Sequence, residues 1–97
     1  MQTPDELRRK LLELERQVRE APQDPALHCR IAALLEKLDR PVEAVSELRQ
    51  ANQLRPGDPA ILEMLGSLLI RLGEYDEALA CYSEALDCVD GRASLHL

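Results

Sequence analysis

Shifted by 34 positions, the sequence matches itself. Asp24-Pro25-Ala26 becomes Asp58-Pro59-Ala60. Leu34, Leu35 and Leu38 become Leu68, Leu69 and Leu72. Glu43-Ala44 becomes Glu77-Ala78, Ala51 becomes Ala85, and Gly57 becomes Gly91, which makes ten identities in 34 positions. Average residue usage would give about two or three by chance. Conservative pairs fill the gaps: Leu27/Ile61, Ile31/Leu65, Ala32/Gly66, Lys37/Arg71, Val45/Leu79 and Leu48/Tyr82. A fixed period of this length marks a stacked architecture, in which each unit buries its apolar face on the next.

Each unit reads as two helices. Asp24 and Asp58 are N-caps, with Pro25 and Pro59 at the first helical position, where a missing N–H costs nothing. The first helices should run to about Leu38 and Leu72. Gly73 suits a left-handed helix end; Asp39 stands at that place in the first unit. Pro41 then opens a helix to about Arg55, and the matching helix runs from near Tyr75 to just before Gly91. Connections of two or three residues make each pair antiparallel neighbours. Ala32 or Gly66 then gives room for Ala44 or Ala78, and Ala51 and Ala85 repeat this further along. Leu48 and Tyr82 fill the space between. A bulky side chain at Ala78 is expected to push the pair apart, at a cost of about 1–3 kcal/mol. Leu and Ala dominate, and there are only two aromatic residues, Tyr75 and Tyr82. Thr, Val and Ile are scarce, so strands are not expected and the fold class is all-α.

These residues resemble a tetratricopeptide repeat. In the second unit Leu62 takes the usual Trp place, Leu65-Gly66 matches, and Leu69 replaces Tyr. Ala78 matches, Tyr82 stands for Phe, and Asp90 replaces the closing Pro. His28, Ile31, Ala32, Leu35, Ala44, Leu48 and Pro56 hold those places in the first unit. The resemblance covers residues 24–91 and implies an α-solenoid of helix pairs, with repeats at 24–57 and 58–91. Residues 1–22 precede it. Thr3-Pro4-Asp5-Glu6 forms a capping box, and Leu7, Leu11, Leu14 and Val18 form an apolar stripe. That stripe fits a short coiled-coil seam or, as expected here, a capping helix in the place of a preceding second helix. Lys10 and Gln17 fall where such a helix would carry its small residues. Residues 92–97 align with the start of a third unit or form a tail. If the last helix is left uncovered, the face of Cys81, Tyr82, Leu86 and Val89 is an apolar patch open to a partner, including a second copy in a homodimer.

The resemblance also implies a function. First helices of such repeats line a concave groove that receives a peptide. Here the lining would be Ala26, Cys29, Ala33 and Glu36, then Ala60, Glu63, Ser67 and Ile70, with Arg30, Lys37 and Arg71 flanking. Some family members hold a partner's C-terminal carboxylate with Lys and Asn at the positions of Cys29 and Ala33. Neither is present, so no clamp of that type is expected. The expected function is a protein–protein interaction scaffold, with a small chaperone, an assembly factor or the targeting module of a larger enzyme as alternatives.

Charge and chemistry agree. The net charge is −6, and all the excess lies in residues 58–97, which hold eight acids against Arg71 and Arg92. Phosphate-driven nucleic-acid binding needs a basic face instead. The odd count of cysteines, Cys29, Cys81 and Cys88, lacks any CxxC, which argues for small buried hydrophobes in a reducing, cytoplasmic setting over disulfides or zinc. No apolar run approaches the roughly 18 residues of a membrane helix. His28 falls on a packing position, and Ser46, Ser67 and Ser83 have no base at a useful spacing. No catalysis, metal or cofactor is expected. Glu74, Asp76 and Glu77 crowd a helix start, where the macrodipole favours acids.

Overall fold

A computed structural model describes residues 3–90, and among them the chain forms five α-helices and no strand. These are α1 (Pro4–Glu20), α2 (Pro25–Lys37), α3 (Pro41–Leu54), α4 (Pro59–Arg71) and α5 (Tyr75–Asp90). The alignment of residues 92–97 with a third unit lies outside the described residues, as does the side chain of Val89.

Helix starts follow from caps. Thr3 Oγ1 accepts from the Glu6 N–H at 3.2 Å. Asp24 Oδ1 accepts from Ala26 N–H at 3.0 Å, and Asp58 Oδ1 from Ala60 N–H at 2.9 Å. In each case proline at the first helical position follows the cap. The ends are equally local. Gly73 has φ +81°, and its N–H donates to Ile70 O at 3.0 Å while Glu74 N–H donates to Leu69 O at 2.8 Å. That pairing satisfies the last carbonyls of α4. Asp39, with φ +61°, builds the same turn after α2: its N–H donates to Glu36 O, and Arg40 N–H donates to Leu35 O. A side chain in this left-handed conformation costs about 1–2 kcal/mol that glycine does not incur. Gly73→Ala is therefore expected to cost about 1 kcal/mol, a fall in Tm of about 4–8 °C for a chain this size. Asp39→Gly should gain less, because Asp39 also accepts from Arg71 Nη2 at 3.3 Å. Paired thermal melts check both signs.

The helices stack in sequence. α2 packs on α3 and α4 on α5 as tight hairpins, with looser contacts joining α1 to α2 and α3 to α4. The repeated alanines mark the close approaches. Ala44, Ala51, Ala78 and Ala85 are all at most 3% exposed, so leucine at Ala78 has no free volume to occupy. Gly66 departs from the expected pairing: its open space is taken by the Tyr82 ring, and a Cβ there would lie 2.9 Å from Tyr82 Cε2. At the equivalent positions the first unit carries Ala32 and the shorter Leu48.

One core runs through the stack. It includes Leu7 and Leu11 of α1, Ile31 and Leu35 of α2, Leu48 of α3 and Leu62, Leu65 and Leu69 of α4. Leu14 and Val18 pack against it, so the apolar stripe of α1 is buried against the rest of the chain. Asn52 Oδ1 is buried without a hydrogen-bond partner among the described residues. Its equivalent in the second unit is Leu86. Asn52→Leu removes an unpaired acceptor and is expected to stabilise by about 1 kcal/mol, read as a higher urea midpoint at unchanged slope.

Candidate binding groove

One side of α2 carries the candidate groove, which consists of two hollows. The first, about 390 Å³, lies between α1 and α2 and is lined by Lys10, Glu13, Leu14, Arg30, Ala33 and Leu34. The second, about 260 Å³, lies between α2 and α4 and is lined by Ala32, Glu36, Glu63, Met64, Ser67 and Leu68. The 3.6-residue period explains the division. Arg30, Ala33 and Leu34 turn toward α1, whereas Ala32 and Glu36 turn toward α4.

Of the residues expected from the sequence, Arg30 and Ala33 therefore meet in the first hollow, and Glu36, Glu63 and Ser67 meet in the second. Ala26 and Ala60, in the first turns of α2 and α4, are exposed and line neither. Cys29 is half-buried against the core. Ile70 is exposed beyond the second hollow. Lys10, Leu14 and Met64 line the hollows without having been expected there. For Lys10 a signal existed: it replaces the small residue a second helix would have, and a long side chain at that place must find open space.

The groove is electrically polarised. Lys10 and Arg30 frame the apolar walls of Leu14, Ala33 and Leu34, and neither has an ion-pair partner among the described residues. Glu13 is neutralised by Arg16. At the other end Glu36 and Glu63 line the same hollow as Ser67. Arg71 flanks that end and donates to both Glu36 and Asp39 at 3.3 Å. These exposed pairs contribute little to stability, but they hold Glu36 in place.

A further hollow, about 650 Å³, opens between α3, α4 and α5 and is lined by Val42, Val45, Ser46, Arg49, Leu69, Leu72, Glu74 and Glu77. The Arg49–Glu77 ion pair ties α3 to α5 across it. The hydrogen bond from Arg49 holds the Glu77 carboxyl below its ordinary value.

The reactive residue types are otherwise engaged. His28 is 3% exposed. Its Nδ1 donates to Glu47 Oε2 at 2.8 Å and its Nε2 to Pro22 O at 3.0 Å. Burial pushes its pKa down, but the bonds to Glu47 and Pro22 and the charges of Glu47 and Asp24 outweigh burial and leave it raised. Burial, helped by the charge of Asp58, raises the Cys29 thiol; burial, helped by Glu77 and Glu84, raises Cys81. Both stay protonated near neutrality, which makes them poor nucleophiles. Among the described residues no group of three or more His, Cys, Asp or Glu is placed to hold a metal ion, and no helix is long and apolar enough to cross a membrane.

This arrangement of antiparallel helix pairs recurs in known proteins. Solved structures similar to the chain include the MamA RS-1 ArsTM double mutant, 16% identical with a TM-score of 0.86, where 89% of this chain covers 48% of that one. A crystal structure of MamA is 17% identical at a TM-score of 0.85, with coverage of 93% and 53%. MamA AMB-1 is 21% identical at a TM-score of 0.81, with coverage of 90% and 52%. The chain thus spans about half the length of these structures, and the likeness is one of fold. No curated protein matches the sequence. The family model described as tetratricopeptide repeat matches residues 35–96, which takes in the second helix of the first unit and all of the second. The chain belongs to the tetratricopeptide repeat family.

Proposed function

We propose that the chain is a protein–protein interaction module that takes an extended or helical segment of a partner protein along the groove formed by α1, α2 and α4, without catalysis of its own. The observation that carries this reading is the pair of hollows flanking α2, one lined by Leu14, Ala33 and Leu34 with Lys10 and Arg30, the other by Ala32, Met64 and Leu68 with Glu36 and Glu63. Apolar side chains of the partner fill the hollows. Charged residues at its two ends meet Lys10 and Arg30 on one side and Glu63 on the other. Such complementarity fixes direction and register more than it adds affinity. The partner-contacting residues are then Arg30, Ala33, Glu36, Glu63 and Ser67, joined by Lys10. Ala26, Cys29, Ala60 and Ile70 border the same face.

Panning a random peptide library displayed on phage tests this. Synthetic versions of the selected peptides should lose at least tenfold in affinity to an Ala33→Trp/Ser67→Trp variant, whose indoles fill both hollows. Exposure of Ser67 and partial exposure of Ala33 let the variant fold. Peptides that bind the filled variant as tightly as the native chain would show that the groove is not the site.

A further inference from the structure

The hollow between α1 and α2 lies beside a helix face whose counterpart in the first unit is filled. Lys10, Leu14 and Gln17 of α1 stand 34 residues before Ala44, Leu48 and Ala51 of α3. Those three α3 residues are each 0% exposed, and α3 is packed between α2 and α4. On α1 the same face is open: Lys10 is exposed, and Leu14 and Gln17 are half-buried. Lys10 and Leu14 line the hollow together with Ala33 and Leu34.

A further close-packed helix does not suit this face. Ala44 and Ala51 are small enough to let neighbouring backbones come near. Lys10 and Gln17 hold those places with long polar side chains, and Gln17 is tied to Glu13, its Nε2 donating to Oε1 at 3.3 Å. A helix seated here at an ordinary packing distance of about 8–10 Å would bury the Lys10 ammonium without a partner, which is costly. What fits is a segment that sends side chains into the hollow while its backbone stays outside.

Charge narrows the chemistry of that segment. Lys10 and Arg30 are exposed, border an apolar floor, and have no ion-pair partner among the described residues. Glu13, the one acid in the lining, is already bound by Arg16 and Gln17, which hold its carboxyl below its ordinary value. Glu20, which shares Arg16, lies seven residues further along α1. The charge left unanswered at this hollow is therefore two cations beside an apolar surface of Leu14, Ala33 and Leu34.

We propose that the α1–α2 hollow takes one large apolar side chain of the partner, flanked within two residues by Asp or Glu that pair with Lys10 and Arg30. This rests on the groove reading above and names the chemistry of the partner at the α1 end. The apolar side chain supplies most of the affinity, since exposed ion pairs add little. The carboxylates decide which segment is admitted and where it sits.

The phage selection described above supplies the probes, resynthesised with acetylated and amidated ends so that only side chains carry charge. Selected peptides that Ala33→Trp displaces should contain Asp or Glu within two residues of Leu, Ile, Met or an aromatic residue. In fluorescence anisotropy, exchanging those acids for Lys should lower affinity at least tenfold at low salt and less at 0.5 M NaCl. The Lys10→Glu/Arg30→Glu chain, altered only at exposed positions, should reverse the preference and bind the lysine versions tighter, a gain that misfolding could not produce. Selected peptides displaced by Ser67→Trp alone, or bound equally well with lysine in place of the acids, overturn this inference and leave the groove reading standing. Peptides that bind the Ala33→Trp/Ser67→Trp variant undiminished, or a selection that yields none, overturn both. A dimer in sedimentation equilibrium that Lys10→Glu/Arg30→Glu dissociates would overturn the inference by making a second copy the occupant. A tenfold gain in peptide affinity on removal of residues 91–97 would overturn it in favour of the chain's own segment.

Discussion

Leu48→Ala is expected to lower the unfolding free energy by about 3 kcal/mol, toward a third or more of the total for a chain this size. Leu48 is 0% exposed and is among the largest fully buried side chains, with Leu62 and Leu69. It lies between Ala44 and Ala51 on α3, both also fully buried, where the helices already approach as closely as alanine allows. The surroundings therefore cannot collapse into the void, and the full cavity term applies. The equivalent substitution in the second unit, Tyr82→Ala, should cost distinctly less. Tyr82 is only partly buried, and removing its ring also relieves the crowding at Gly66. Urea unfolding of both variants gives the comparison. A Leu48→Ala loss under 1 kcal/mol, or one smaller than that of Tyr82→Ala, would contradict the packing described here.

His28→Leu is expected to cost about 2–3 kcal/mol at pH 6 and visibly less at pH 8. Both ring nitrogens of His28 face oxygen acceptors, Glu47 Oε2 and Pro22 O, and only the imidazolium donates to both at once. The folded state thus binds the proton more tightly than the unfolded state, whose value is about 6.5. Below that value both states are charged and the contribution is fully present. As pH rises through the raised folded value the proton leaves, one bond is lost, and the stabilisation disappears. Native stability should therefore fall from pH 6 toward pH 8, and His28→Leu should flatten that slope. Urea midpoints across this range decide it; a slope unchanged in the variant would remove His28 as its source. Glu47→Gln offers a check that keeps the shape of the site and should lower the histidine pKa, measurable by NMR titration.

The hollows beside α2 and the open face of α5 follow from one packing rule. A solenoid buries each hairpin on the next, so every internal second helix is covered and the last described one is not. Beside α2 the packing against α1 and α4 leaves the two hollows open.

Much of this architecture was determined by the sequence alone. Asp-Pro caps, the left-handed turns at Asp39 and Gly73 and the alanines of the close approaches act through local backbone geometry or through a period that any stacked hairpin must respect. They hold wherever the repeat holds. The two-part groove was only partly legible: the family resemblance implied Ala33, Glu36, Glu63 and Ser67 as lining with Arg30 flanking, but not the division between α1 and α4. Only the tertiary structure decided that Lys10 reaches into the groove, that the Tyr82 ring takes the space at Gly66, that His28 joins Glu47 across 19 residues, and that Leu79 lies open where Val45 is buried. Each of these depends on what a neighbouring helix places opposite, and a pattern read along one strand of sequence contains the period of a helix but not the identity of its neighbour.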